Sequence, residues 1–285
     1  MLVGANGNSV SDHPYATTMM FSPRLTSTLR VFLYWILFIG VLLLVGRYLK
    51  PVFPAKYDQF VYGIGGTIGT YALTFFFIRS EKKTFQDYGL VWESGTLLRF
   101  FKGMFYGTLI FAALILLLVV LSGIRIRLAG NWELSSLFWY LPILPLALFE
   151  EIAFRSYPFT KLSKAFPFIA TQLIIALVFA LYHISMGWNS MIAFLGPGIW
   201  ALVFGLGAAW SKGIALPTGI HVALNFIQQL FGMKETTQGT VFVFTNDHAA
   251  ALLTPDITGI IGQVMVGLVA ILLTIRYSQK KLMPQ

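Results

Sequence analysis

The sequence predicts an all-α polytopic membrane bundle of about eight transmembrane helices with both termini cytoplasmic, and three observations carry that prediction. The 285 residues are 57% hydrophobic and 11% charged, with a mean hydropathy of +0.75, whereas a soluble domain carries about a quarter charged residues. About eight apolar runs follow one another, each near the ~20 residues that cross a ~30 Å hydrocarbon layer. Fourteen of the twenty Lys and Arg residues fall on one set of connections and six on the other, and cytoplasmic connections are the ones that collect basic residues.

Residues 1–28 are polar and lack the apolar core of a signal peptide, so they are expected to form a flexible tail ahead of a retained first span. The runs then fall near 30–47, 58–78, 103–122, 137–157, 167–186, 190–210, 213–231 and 256–275. They make one transmembrane domain over 29–276, followed by a short C-terminal tail over 277–285. Gly65 with Gly69, and Gly205 with Ala209, have the small-x-x-x-small spacing that lets helices approach closely. Pro142 and Pro145 are expected to bend or loosen the fourth helix. Residues 79–102 and 158–166 mix Lys and Arg with aromatic and aliphatic residues, a pattern suited to the membrane interface. Residues 232–255 form the longest far-side loop, placed to cover part of the bundle.

Two function classes are excluded early. With no cysteine, the chain has no disulfide, thiolate metal site or cysteine nucleophile. The net charge of +9 sits between apolar runs, where orientation and contact with anionic lipid account for it, so no nucleic-acid partner is expected.

Polar residues inside the apolar runs carry the rest. Glu150 and Glu151, with Arg155, directly follow a strongly apolar stretch. A charged residue at the centre of a span costs roughly 2.5–3.5 kcal/mol on an insertion scale, so these acids need a protein interior or a wet cavity to receive them. The plainer alternative is a helix end with its acids in the headgroup layer. Glu151 and Arg155 are four apart and share a helix face, whereas Glu150 lies about 100° round. His183 closes the fifth run behind Phe179, and His221 shares a face of the seventh run with Asn225. His13 in the tail and His248 beside Asp247 read as solvated.

Glu150-Glu151-x-x-x-Arg155, Phe179-x-x-x-His183 and His221-x-x-x-Asn225, in that order, resemble the three-motif signature of the CPBP family of membrane proteins, which includes type II CAAX prenyl endopeptidases and bacteriocin-processing proteins. The resemblance covers 137–231, about a third of the chain. It implies an eight-helix bundle in a prokaryotic cell membrane that cuts a peptide bond in a membrane-anchored or lipidated substrate, prenylated CAAX-type tails included. It also implies Glu150, His183, His221 and Asn225 as catalytic residues with Glu151 and Arg155 in support.

The residue chemistry agrees with that role. Amide hydrolysis needs an activated water, donors for a developing oxyanion and a proton for the leaving amine. Glu150 with His183 suits the water, His221 with Asn225 suits the oxyanion, and Arg155 would hold Glu151 charged. The internal rival is zinc on Glu150, His183 and His221, a His2Glu ligand set. There is no His-Glu-x-x-His motif, so a reaction without metal or other cofactor is favoured. Rivals from other classes are a non-proteolytic scaffold or immunity-type protein of the same fold and a proton or solute pathway. The latter lacks the internal repeat common in transporters. One geometric problem stands. Counted from the starts of their runs, His183 and His221 differ in depth by roughly 12 Å at 1.5 Å per residue, so the fifth helix must start deeper, tilt or kink.

Overall fold

A computed structural model describes residues 22–130, 132–234, 239–246 and 251–282. Residues 1–21, His13, Asp247 and His248 lie outside that set. The bundle is helical as expected, with ten α-helices among the described residues: α1 Pro23–Leu44, α2 Asp58–Ser80, α3 Thr96–Ser122, α4 Ile143–Arg155, α5 Tyr157–Ala165, α6 Phe168–Ser185, α7 Ser190–Ala193, α8 Ile199–Ser211, α9 Ala215–Leu230 and α10 Pro255–Leu282.

Local chemistry sets the helix ends. Ser22 caps α1 by accepting from the Leu25 amide at 3.3 Å, and Pro23 follows at the first helical position, where its missing N–H costs nothing. The helix therefore starts inside the stretch expected to be tail. At its far end α1 runs on through a π turn over Val45–Leu49 and a 3-10 turn over Lys50–Val52. Pro51 and Pro54 then allow the reversal into α2. α10 likewise continues to Leu282, so most of the expected C-terminal tail is helix. Pro142 stands at the N-terminus of α4 and does not bend a longer helix, the preceding residues Leu134–Tyr140 forming a 3-10 helix. The Pro145 carbonyl accepts from Thr67 on α2 at 2.8 Å.

Seven helical stretches among the described residues are long and apolar enough to cross a membrane: Pro23–Val52, Ala55–Ser80, Thr96–Ser122, Leu134–Ala165, Phe168–Ser185, Ser190–Ser211 and Pro255–Lys280. The chain is therefore a multi-pass membrane protein. The segment 158–166, expected at the interface, mostly continues the fourth of these stretches as α5. The expected seventh run is the exception: it forms α9 but spans only 16 residues. The reason is burial: ten of those residues are buried in protein, so α9 has no lipid to match in length or hydropathy.

Glycines seat α9 against α3. A Cβ on Gly103 would lie 2.1 Å from the Leu216 carbonyl oxygen, and one on Gly219 would lie 2.0 Å from that of Phe100. The two backbones touch, an approach that only glycine permits. Gly65 and Gly69 instead receive Leu49, Val45 and Val41 side chains from the first span, and Gly205 makes room for the Gln172 amide. One addition to the helical plan is a two-stranded antiparallel sheet, β1 Ile124–Leu128 with β2 Phe242–Asn246, formed by the loop after α3 and the far-side loop after α9.

Candidate active site

The fourth helix delivers two carboxylates to two environments. Glu151 is fully buried, while Glu150, one residue earlier, borders a cavity of about 280 Å³. Tyr62 of α2, Phe149 of α4, Tyr182 and His183 of α6, and Lys50 and Trp188 from the segments after α1 and α6 also line that cavity. It therefore opens where α1 and α6 end. Lys50 pairs with Asp58 at 2.8 Å.

Glu151 is immobilised from two sides. Arg155 Nε lies 3.5 Å from its Oε2 one helical turn on, and His221 Nδ1 lies 2.8 Å from its Oε1. The Arg155 guanidinium is itself enclosed by aromatic rings, 4.5 Å from the Phe179 centroid, 5.0 Å from Phe204 and 5.8 Å from Phe154, and Nη2 donates to the Ala201 carbonyl at 3.4 Å. Negative ring faces replace part of the water such a cation loses on burial.

The histidines have defined tautomers. His183 Nδ1 lies 2.8 Å from the Phe179 carbonyl oxygen. A carbonyl only accepts, so Nδ1 carries the proton and Nε2 is left as an acceptor in the neutral ring. His221 stacks on Phe204 at 4.6 Å and 16°. With Nδ1 engaged to Glu151, its Nε2 faces Glu150 Oε2 at 3.7 Å, beyond hydrogen-bond length. The Tyr182 hydroxyl donates to Glu150 Oε1 at 3.5 Å, and among the described residues no hydrogen-bond donor reaches its Oε2.

The expected depth mismatch is resolved by helix starts. Phe179 lies 4.6 Å from the His183 ring and 6.4 Å from the His221 ring, so both imidazoles meet one aromatic neighbour. His183 stands 15 residues into α6 and His221 six into α9. At 1.5 Å per residue, α9 must begin roughly 13 Å further into the bundle. Its short length follows.

Glu150, Glu151, Arg155, His183 and His221 are thus brought together. Asn225 sits one turn beyond His221 on α9, and its Oδ1 accepts from Lys234 Nζ at 3.1 Å. Among the described residues no group of three or more His, Asp or Glu is placed to hold a metal ion. Sequence reasoning missed Phe204, Tyr182 and Lys234. Only Lys234 carried a signal, as the sole basic residue between Lys212 and Arg276.

Residues 131–227 match a family model described as type II CAAX prenyl endopeptidase Rce1-like. Neither the curated proteins nor the solved structures give a match. The matched stretch is about a third of the chain and contains Glu150, Glu151, Arg155, His183, His221 and Asn225. The segment of this membrane protein that carries all six motif residues is therefore similar to the type II CAAX prenyl endopeptidase Rce1-like family.

Proposed function

We propose that the chain is an intramembrane endopeptidase that hydrolyses a peptide bond in a membrane-anchored protein or peptide, prenylated CAAX-type tails included, by glutamate- and histidine-activated water without a metal. One observation carries the reading. Glu150 borders a cavity shared with His183, and its Oε2 lacks a donor, while the neighbouring carboxylate is fixed by Arg155 and His221. A partly buried carboxylate whose inner oxygen lacks a hydrogen bond is costly unless it has a task.

The steps follow from the donors and acceptors. Water in the cavity donates one proton toward Glu150 and a hydrogen bond to His183 Nε2. As its oxygen attacks the substrate carbonyl carbon, Glu150 takes that proton and the carbonyl oxygen becomes an oxyanion. His221 Nε2, when protonated, and the Asn225 amide donate to that oxyanion. The C–N bond then breaks, and Glu150 returns its proton to the leaving amine. Glu151 holds the His221 ring by Nδ1, so that Nε2 is the nitrogen presented to the reaction.

The reading is tested by purified protein and a membrane-anchored fluorogenic peptide, comparing wild type with Glu150→Ala, His183→Ala and His221→Ala. All three variants are expected to insert and fold yet lose turnover. Normal cutting by the Glu150 variant would remove it as the base, and binding without cutting by wild type would favour a scaffold or immunity-type role. Chelator-treated protein is expected to keep full activity. Loss restored by zinc would overturn the metal-free mechanism.

A further inference from the structure

Lys234 lies nine residues beyond Asn225. Along a continuing helix that separation is about 13 Å, yet Nζ and Oδ1 are 3.1 Å apart. The end of α9 closes the gap. Gly232 adopts a left-handed conformation with φ of +62°. The Met233 amide donates to the Gln228 carbonyl at 2.8 Å and the Gly232 amide donates to that of Gln229 at 3.1 Å. These two bonds and the glycine are the Schellman motif, which stops a helix and turns the chain back on it. The turn places Lys234 against the helix face that carries Asn225 and, one turn earlier, His221.

We propose that Lys234 is a positioning residue that fixes the Asn225 amide with its NH2 turned away from the lysine and toward the oxyanion. This rests on the endopeptidase reading above. An ammonium has three donors and no acceptor, so only the amide oxygen is able to face it. Without such a partner, a side-chain amide adopts either flip, and the flip that turns NH2 toward the lysine's position withdraws its donors from the substrate. Lys234 removes that choice. The ammonium form persists at neutral pH, because burial lowers its pKa to about 8 while the charge of Glu150 acts in the opposite direction.

The test is a double-mutant cycle on the full chain, reading kcat and KM for the anchored peptide in wild type, Lys234→Met, Asn225→Ala and the double variant. Loss of one oxyanion donor lowers kcat by about 10²–10³-fold, the drop expected of Asn225→Ala. Lys234→Met is expected to lower kcat about tenfold or more with KM little changed, and to add nothing to Asn225→Ala, because it acts only through that amide. A Lys234→Met kcat equal to wild type, or losses that multiply in the double variant, would overturn the proposal.

A second readout is independent of activity. The chain has six asparagines, so asparagine-selective ¹⁵N labelling gives few side-chain NH2 signals, and the Asn225 pair is identified by its loss in Asn225→Ala. That pair is expected to move in Lys234→Met while the remaining pairs stay in place, which also shows that the variant is folded. An unmoved pair overturns the proposal even if wild type cuts nothing, an outcome that would separately end the protease reading.

Discussion

Glu81 and Glu150 are carboxylates of the same bundle in opposite conditions. Glu81, just past α2, accepts from Arg30 Nη1 at 3.0 Å, Tyr88 at 2.8 Å, Tyr157 at 2.7 Å and Lys161 at 2.7 Å. It ties α1, α2, α5 and the following turn together, and both its oxygens are occupied. Glu150 borders a cavity, with one long bond and, among the described residues, no donor to its second oxygen. The difference sets two conditions side by side: where donors converge the carboxylate is a clasp, and where they are withheld it is, on the reading proposed above, left free to take a proton.

The sharpest way to break that comparison is to neutralise each acid in turn. Glu150→Gln is expected to lower turnover by about 10²–10⁴-fold, the usual contribution of a general base, with the unfolding midpoint unchanged. Glu81→Gln should do the reverse and leave turnover at the wild-type level. Peptide cleavage and thermal unfolding of the two purified variants, measured side by side, check this. A Glu150 variant that loses stability and turnover together would make that residue another clasp.

Removing the cation that holds Glu151 comes next. Arg155→Met leaves a fully buried carboxylate with only His221, and breaking a buried pair costs about 3–5 kcal/mol. Adding Glu151→Gln removes the stranded charge, so denaturant unfolding should show most of that stability restored. Turnover should remain low, because His221 loses the carboxylate that orients it. Recovery of both would mean that Glu151 is structural only.

The motif residues were legible because an ionisable group in an apolar run is conspicuous and helical spacing of four fixes which of them share a face. Glu151 with Arg155, and His221 with Asn225, were paired by that rule alone. What surrounds them was not legible. Phe204 is one of 26 phenylalanines, and nothing in its neighbours marks it as the ring that stacks on His221 and covers Arg155. Gly103 and Gly219 lie on helices far apart in sequence, and their contact is a tertiary fact. The strands β1 and β2 pair across more than a hundred residues, between two loops in which no strand was read. Even the length of α9 misled, because the span rule assumes lipid around a helix and α9 has protein.

Glu81 also gives a pH test. Burial pushes its carboxyl up, but the hydrogen bonds from Lys161, Tyr157 and Tyr88 together pull further and hold it at about 2, below the ordinary 4.5. A depressed folded-state pKa contributes stability that is present above the unfolded value and lost as pH falls toward the folded one. The unfolding temperature should therefore drop between about pH 4.5 and pH 2, and Glu81→Gln should flatten that drop. An equal pH slope in the variant would place the acid sensitivity elsewhere.

The smallest expected effect tests how weakly Glu150 is held. Tyr182→Phe removes only a hydroxyl, whose bond to Glu150 Oε1 is 3.5 Å long, while the ring stays packed against Phe38 and Phe154. A neutral hydrogen bond contributes about 0.5–1.5 kcal/mol, and one at this length belongs at the low end. Turnover is expected to change by less than about tenfold, and the unfolding midpoint by little. A fall as large as that of Glu150→Gln would mean that the hydroxyl orients the carboxylate during the reaction. Glu150 would then be a held acid like Glu81, with a single strong donor in place of four, and the contrast between the two would lie in what they face.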